Sequence, residues 1–91
     1  MIDLQNLNNR QRRTLEAIFE NPVRVNINWR DIVSLLRALG ANVNEGRAGS
    51  RVGIVLNGVP SIIHKPHPRN EASMLTIRDL RDLLTSAGIV L

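Results

Sequence analysis

Apolar positions follow two periods along this chain, a helical one towards each end and an alternating one in the middle. Leu15, Ile18 and Phe19 share one face of a predicted first helix, capped by Asn8 or Asn9 and running to about Glu20. Asn21-Pro22 stops it, and Val23, Val25 and Ile27 alternate through an extended linker. Asn28 with Asp31 has the form of a capping box and opens a second helix. Trp29, Ile32, Leu35, Leu36 and Leu39 form its apolar stripe, and Gly40 ends it. A short strand is expected over Ala41–Glu45, then a loop over Gly46–Ser50. Arg51–Leu56 and Val59–Lys65 flank Asn57-Gly58, the strongest short hairpin signal in a sequence. Pro60 donates no backbone hydrogen bond, so the second of these strands is expected at a sheet edge. After the stiff stretch His64-Lys65-Pro66-His67-Pro68, Thr76 with Asp79 caps a last helix through Leu80, Leu83 and Leu84 to Gly88.

A two-residue turn also sets the register. Leu56 then pairs with Val59, and each step outward pairs the next residues, so Arg51 falls opposite His64. Val52, Ile54, Leu56, Val59, Ser61 and Ile63 share the face that packs on the helices. Arg51, Gly53, Val55, Pro60, Ile62 and His64 share the other. The order α-α-β-β-β-α predicts an α+β fold, three antiparallel strands packed on helices. The 91 residues are expected to form a single domain with one thin core, burying about 60–65% of the unfolded surface. A chain this small has no room for a deep cavity, so an active site is expected as an open groove that takes a polymer.

Composition narrows the function classes. The absence of cysteine removes disulfides and zinc–thiolate sites and fits a reducing cytoplasm. No stretch has the apolar length of a membrane span, and no signal-peptide core is apparent, so a cytoplasmic protein is expected. The net charge is only +4, but its placement is uneven. From Gly46 to Asn70 the charged residues are Arg47, Arg51, Lys65 and Arg69, with no acid among them, while the rest of the chain carries eight basic and eight acidic residues. The whole excess therefore sits on one segment, as an electrostatic footprint for nucleic acid should. A solvated charged face without a ligand is the alternative.

The same segment carries the candidate chemistry. Cleaving RNA without a metal needs a base for the 2′-hydroxyl, an acid for the leaving oxygen and a cation for the developing phosphorane charge. Histidine as a residue type suits proton transfer near neutral pH, so His64 and His67 fit the first two roles, with Arg51 as the clamp. Arg47, Ser50, Lys65 and Arg69 are the expected RNA-binding residues beside it. His64-x-x-His67 with Glu71 admits a metal reading, but Pro66 and Pro68 preclude the helix that would align the ligands, so neither metal nor cofactor is expected. Val55, Pro60 and Ile62 on the outer face leave room for a protein partner, unless the N-terminal helix covers them. Trp29 is expected as a core anchor, with base stacking as the alternative.

At Leu36-Arg37-Ala38-Leu39-Gly40-Ala41, Gly49-Ser50-Arg51 and the hairpin, then at Pro66-His67-Pro68, Glu71 and the Leu80–Gly88 helix, the chain resembles the HicA toxin family. The resemblance spans residues 29–90 and leaves the first helix, 8–20, as an addition. It implies a fold like the double-stranded RNA-binding domain, α-β-β-β-α. It also implies an mRNA-cleaving endoribonuclease toxin with a HicB-like antitoxin as partner; no membrane partner is expected, for want of a long apolar stretch. One position departs from it: the family's usual catalytic histidine follows a Gly-Ser pair, and here Gly49-Ser50 is followed by Arg51. An arginine stays protonated and is no general base at neutral pH. Either proton transfer passes to His64 or His67, or the chain is a non-catalytic RNA-binding module. A protein-interaction domain is the third alternative.

Overall fold

The computed structural model describes residues 4–23, 26–46, 49–66, 69–89 and 91. After a 3-10 turn at Leu4–Asn6 come α1 (Asn9–Ile18), α2 (Trp29–Ala38), β1 (Asn42–Asn44), β2 (Arg51–Leu56), β3 (Val59–His64) and α3 (Met74–Ser86). The strands form one antiparallel sheet in the order β1-β2-β3. From α2 onward this is the helix–sheet–helix order of a double-stranded RNA-binding-domain-like fold, with α1 added before it.

Local chemistry explains where each helix starts and stops. Asn8 caps α1 through a full capping box: its side chain accepts from the Gln11 N–H at 2.7 Å, and the Gln11 side chain accepts from the Asn8 N–H at 2.9 Å. The helix ends at Ile18, two residues short of the expected Glu20. Arg81 of α3 explains the stop, because its guanidinium donates to the carbonyls of Ile18 and Glu20. Asn28 caps α2 by accepting from the Arg30 N–H at 2.8 Å, but Asp31 completes no box. Its carboxylate instead takes the Arg10 guanidinium at 2.8 Å, tying α2 to α1. The start of α3 also differs from expectation. Ser73, not Thr76, is its cap, and Thr76 lies buried one turn in. Gly40, at φ 91°, closes α2 with the bonds Ala41 N–H to Leu36 and Gly40 N–H to Arg37, and α3 ends the same way at Gly88.

Pairing in the hairpin is as the turn demands. Asn57 and Gly58 both have positive φ, 50° and 79°, which is the type I′ geometry whose twist matches the flanking strands. Leu56 pairs with Val59 and Arg51 with His64. Val52, Ile54, Leu56 and Ile63 are buried against the helices, while Val59 and Ser61 on the same face are half-buried. Pro60 sits on the edge strand β3. Two steps from the turn residue pair its position is non-hydrogen-bonded towards β2, so no ladder bond is lost there.

The buried cluster joins Leu15 and Ile18 of α1, Ile32, Leu35 and Leu36 of α2, the inner face of the sheet, and Ile77, Leu80 and Leu84 of α3. Here α2 lies against β1, and α3 against β3. The added helix α1 packs on α2 and α3. It therefore thickens the helical layer and leaves the outer sheet face uncovered. Replacing Arg81 with Met removes the bonds that hold the end of α1 to α3. We expect a loss of about 1–2 kcal/mol, read as a fall in Tm of roughly 5–12 °C by thermal circular dichroism; an unchanged Tm would show that apolar packing alone docks the helix.

Candidate nucleic-acid interface

The open face of the sheet is apolar in its middle and basic at one end. Val55 is 45% exposed and Ile62 60% exposed, beside Pro60, Gly53 and the Asn42 and Asn44 side of β1, around a shallow concavity of about 630 Å3. At the end far from the turn stand Arg51 and His64, both exposed and paired across the strands. Counting outward from the turn makes Ser50–Lys65 a hydrogen-bonded pair, and the Lys65 N–H does donate to the Ser50 carbonyl at 2.7 Å. Arg51 and His64 are then a non-hydrogen-bonded pair, the kind whose Cβ atoms lie about 4.5–5.5 Å apart. Among the described residues neither side chain has a hydrogen bond or ion pair of its own.

Two further concavities meet at this end. One is lined by His64, Lys65, Pro66, Arg69, Glu71, Ser73 and Thr76, the other by Gly49, Ser50, Lys65 and Pro66, so Lys65 and Pro66 form the ridge between them. His64, Ser50, Arg51, Lys65 and Arg69 are thereby brought to one corner of the molecule. The proposed roles of His67 and Arg47 fall on positions outside the described residues. Glu71 lines the His64 concavity, but the described residues include no group of three His, Cys, Asp or Glu side chains able to hold a metal ion.

Both flanking helices pin this corner. From α3, the Thr76 hydroxyl donates to the His64 carbonyl at 3.2 Å and accepts from the Ser73 hydroxyl at 3.1 Å, so the cap of α3 also holds the end of β3. From α2, the Trp29 indole N–H donates to Glu45 Oε1 at 2.9 Å, and the same oxygen lies 3.9 Å from Lys65 Nζ. Trp29 is 3% exposed, which closes the base-stacking alternative and leaves the core-anchor reading. Sequence reasoning gave Glu45 and Ser73 no role, and cast Thr76 only as a helix cap. For Glu45 a signal existed, since a buried indole needs an acceptor and few are near in the chain.

Residues 29–89 match the family model described as "HicA toxin of bacterial toxin-antitoxin". The chain belongs to the HicA toxin family. No curated protein and no solved structure matches it. The match takes in α2, the sheet and α3, and so includes the Arg51–His64 corner; α1 lies before it. No helix among the described residues of this HicA-family chain is long and apolar enough to cross a membrane.

Which face is open can be checked by neighbouring substitutions in β3. Ile62→Thr is expected to leave stability within about 0.5 kcal/mol, because Ile62 faces solvent. Ile63→Ala, one residue on, should cost about 2–5 kcal/mol. Urea unfolding of both variants reads the difference, and equal losses would mean the face is covered in solution.

Proposed function

We propose that this HicA-family chain is an endoribonuclease toxin that binds RNA at the basic end of its open sheet face and cleaves mRNA in the cytoplasm, with a HicB-like antitoxin as its inhibitory partner. The observation that carries the reading is the pairing of Arg51 with His64 across the hairpin, on the uncovered face and beside Lys65 and Ser50. In the reaction, a 2′-hydroxyl attacks its neighbouring phosphorus while a base takes the hydroxyl proton. The bond from phosphorus to the 5′ oxygen breaks, and an acid protonates the departing oxygen, leaving a cyclic phosphate and a 5′-hydroxyl. Two imidazoles suit these roles because each is readily present in either protonation state near neutral pH. His64 and His67 are assigned to them, and the Arg51 guanidinium to the charge that builds on the phosphorane oxygens. Arg47, Ser50, Lys65 and Arg69 would hold flanking phosphates, contacts that position the strand without reading its sequence.

Arg51 also favours a second reading. It occupies the position after Gly49-Ser50 where the family resemblance expects the catalytic histidine, and a guanidinium takes no proton. On that reading the same corner binds RNA without cutting it.

Induced expression in a bacterial host separates the two. Growth arrest with loss of mRNA is expected for the wild type, relieved in His64→Ala or His67→Ala. With purified protein, the critical histidine change should lower the cleavage rate by about 10²–10⁴-fold while RNA affinity changes little. Arrest untouched by either change would move proton transfer to other residues. Intact mRNA with abundant, folded protein would leave the binding module.

A further inference from the structure

Three arginines crowd the start of α1. Arg10, Arg12 and Arg13 all lie within its first five residues, the first two in the opening turn, where the helix dipole disfavours cations and no acid stands. Two of the three are compensated within the fold. Arg10 is paired with Asp31 at 2.8 Å, which raises its pKa further through the hydrogen bond and the opposite charge, and Arg12 donates to the Leu4 carbonyl at 3.4 Å. Among the described residues Arg13 has no such partner.

Arg13 lines a groove of about 570 Å3 between α1 and the segment before α2, together with Asn9, Asn26 and Asn28. Its acid, Asp31, is neutralised by Arg10, so the Arg13 charge and the asparagine amides dominate. The groove adjoins the corner that holds His64. Asn28, on its rim, is the antiparallel bridge partner of Glu71, which lines the His64 concavity. Bonds from the Trp29 N–H to the Asn70 carbonyl at 2.7 Å and from the Ala72 N–H to the Ile27 carbonyl at 2.8 Å fix that junction. One residue pair therefore separates two concavities, each bearing unpaired or lightly paired cations.

We infer that the α1 groove is a second phosphate subsite, in which Arg13 and the flanking asparagines hold the backbone of the same RNA strand whose phosphodiester lies at His64. The inference rests on the RNA reading above. It gives the added N-terminal helix a purpose: it lengthens the track along which a single strand is gripped, outside the segment that matches the family.

Fluorescence anisotropy with two labelled single-stranded RNAs tests this, one of roughly a dozen nucleotides and one of about four. Arg13→Ala is expected to weaken binding of the longer RNA by roughly 3–10-fold and to reduce its log–log salt slope by about 0.7, with Arg13→Lys recovering most of the loss. Binding of the shorter RNA, held at the His64 corner alone, should not change. Arg37→Ala, an exposed arginine at the other end of α2, is the control for net charge. Equal loss in Arg37→Ala, or no loss in Arg13→Ala with its fold confirmed by circular dichroism, overturns the subsite alone. Failure of the wild type to bind either RNA overturns the RNA reading and the subsite with it.

Discussion

In an antiparallel pair of six-residue strands, a slip of one position turns every side chain to the opposite face. In this protein the type I′ turn at Asn57-Gly58 prevents that slip, since a two-residue loop allows only the Leu56–Val59 pairing to follow. Much depends on it. It buries Val52, Ile54, Leu56 and Ile63 and brings Arg51 and His64 together on the face the helices leave open. The turn is itself held, because the Asn57 amide donates to the Ala87 carbonyl at the end of α3 at 3.0 Å. The tip of the hairpin and the last turn of the helix beneath it therefore constrain each other.

The opposite end of the hairpin is held in a complementary way. Thr76, itself held by Ser73, grips the backbone of His64, and Trp29 grips Glu45, which faces Lys65. In each case a core residue or a helix cap reaches outward to fix a residue of the surface corner. A domain with so thin a core gains order at its surface by letting structural groups serve twice. The imidazole of His64 and the guanidinium of Arg51 remain without partners among the described residues, on a backbone that is fixed. Side chains free to meet a ligand on a rigid frame are what an open polymer site needs.

Much of this was legible in the sequence because the strongest signals were local. Asn57-Gly58, the alternation on either side of it and the Gly40 and Gly88 stops each involve neighbours within a few residues, and each appears in the structure. The errors arose where a distant partner won over a local one. Asp31 faces Arg10, twenty-one residues away, and so completes no capping box with Asn28. Thr76 is drawn to the His64 carbonyl, and the cap falls to Ser73. Helix α1 ends early because Arg81, more than sixty residues on, takes its carbonyls. The corner was visible because hairpin register is a local property, whereas the α1 groove, assembled across the bridge between Asn28 and Glu71, was not.

Arg51, where the family resemblance expects a histidine, takes on a geometric meaning on the proposed reading once the register is known. Across a non-hydrogen-bonded pair, an imidazole carried by residue 64 instead of residue 51 is displaced by only about 4.5–5.5 Å at its Cβ and keeps the same side of the sheet. On the proposed reading, a phosphate gripped by the long, forked Arg51 side chain would be presented to His64, where a histidine at 51 would itself have had to face the phosphate. On the proposed reading the hairpin retains both functions and assigns them to opposite strands. Clamping falls to β2, and proton transfer to the end of β3 and the segment that follows. This division asks more of the backbone at His64 than at Arg51, because a proton-transferring nitrogen tolerates less misplacement than a flexible cation. The Thr76 hydroxyl ties the His64 carbonyl in particular, whereas the bond from the Lys65 N–H to the Ser50 carbonyl holds the two strands alike.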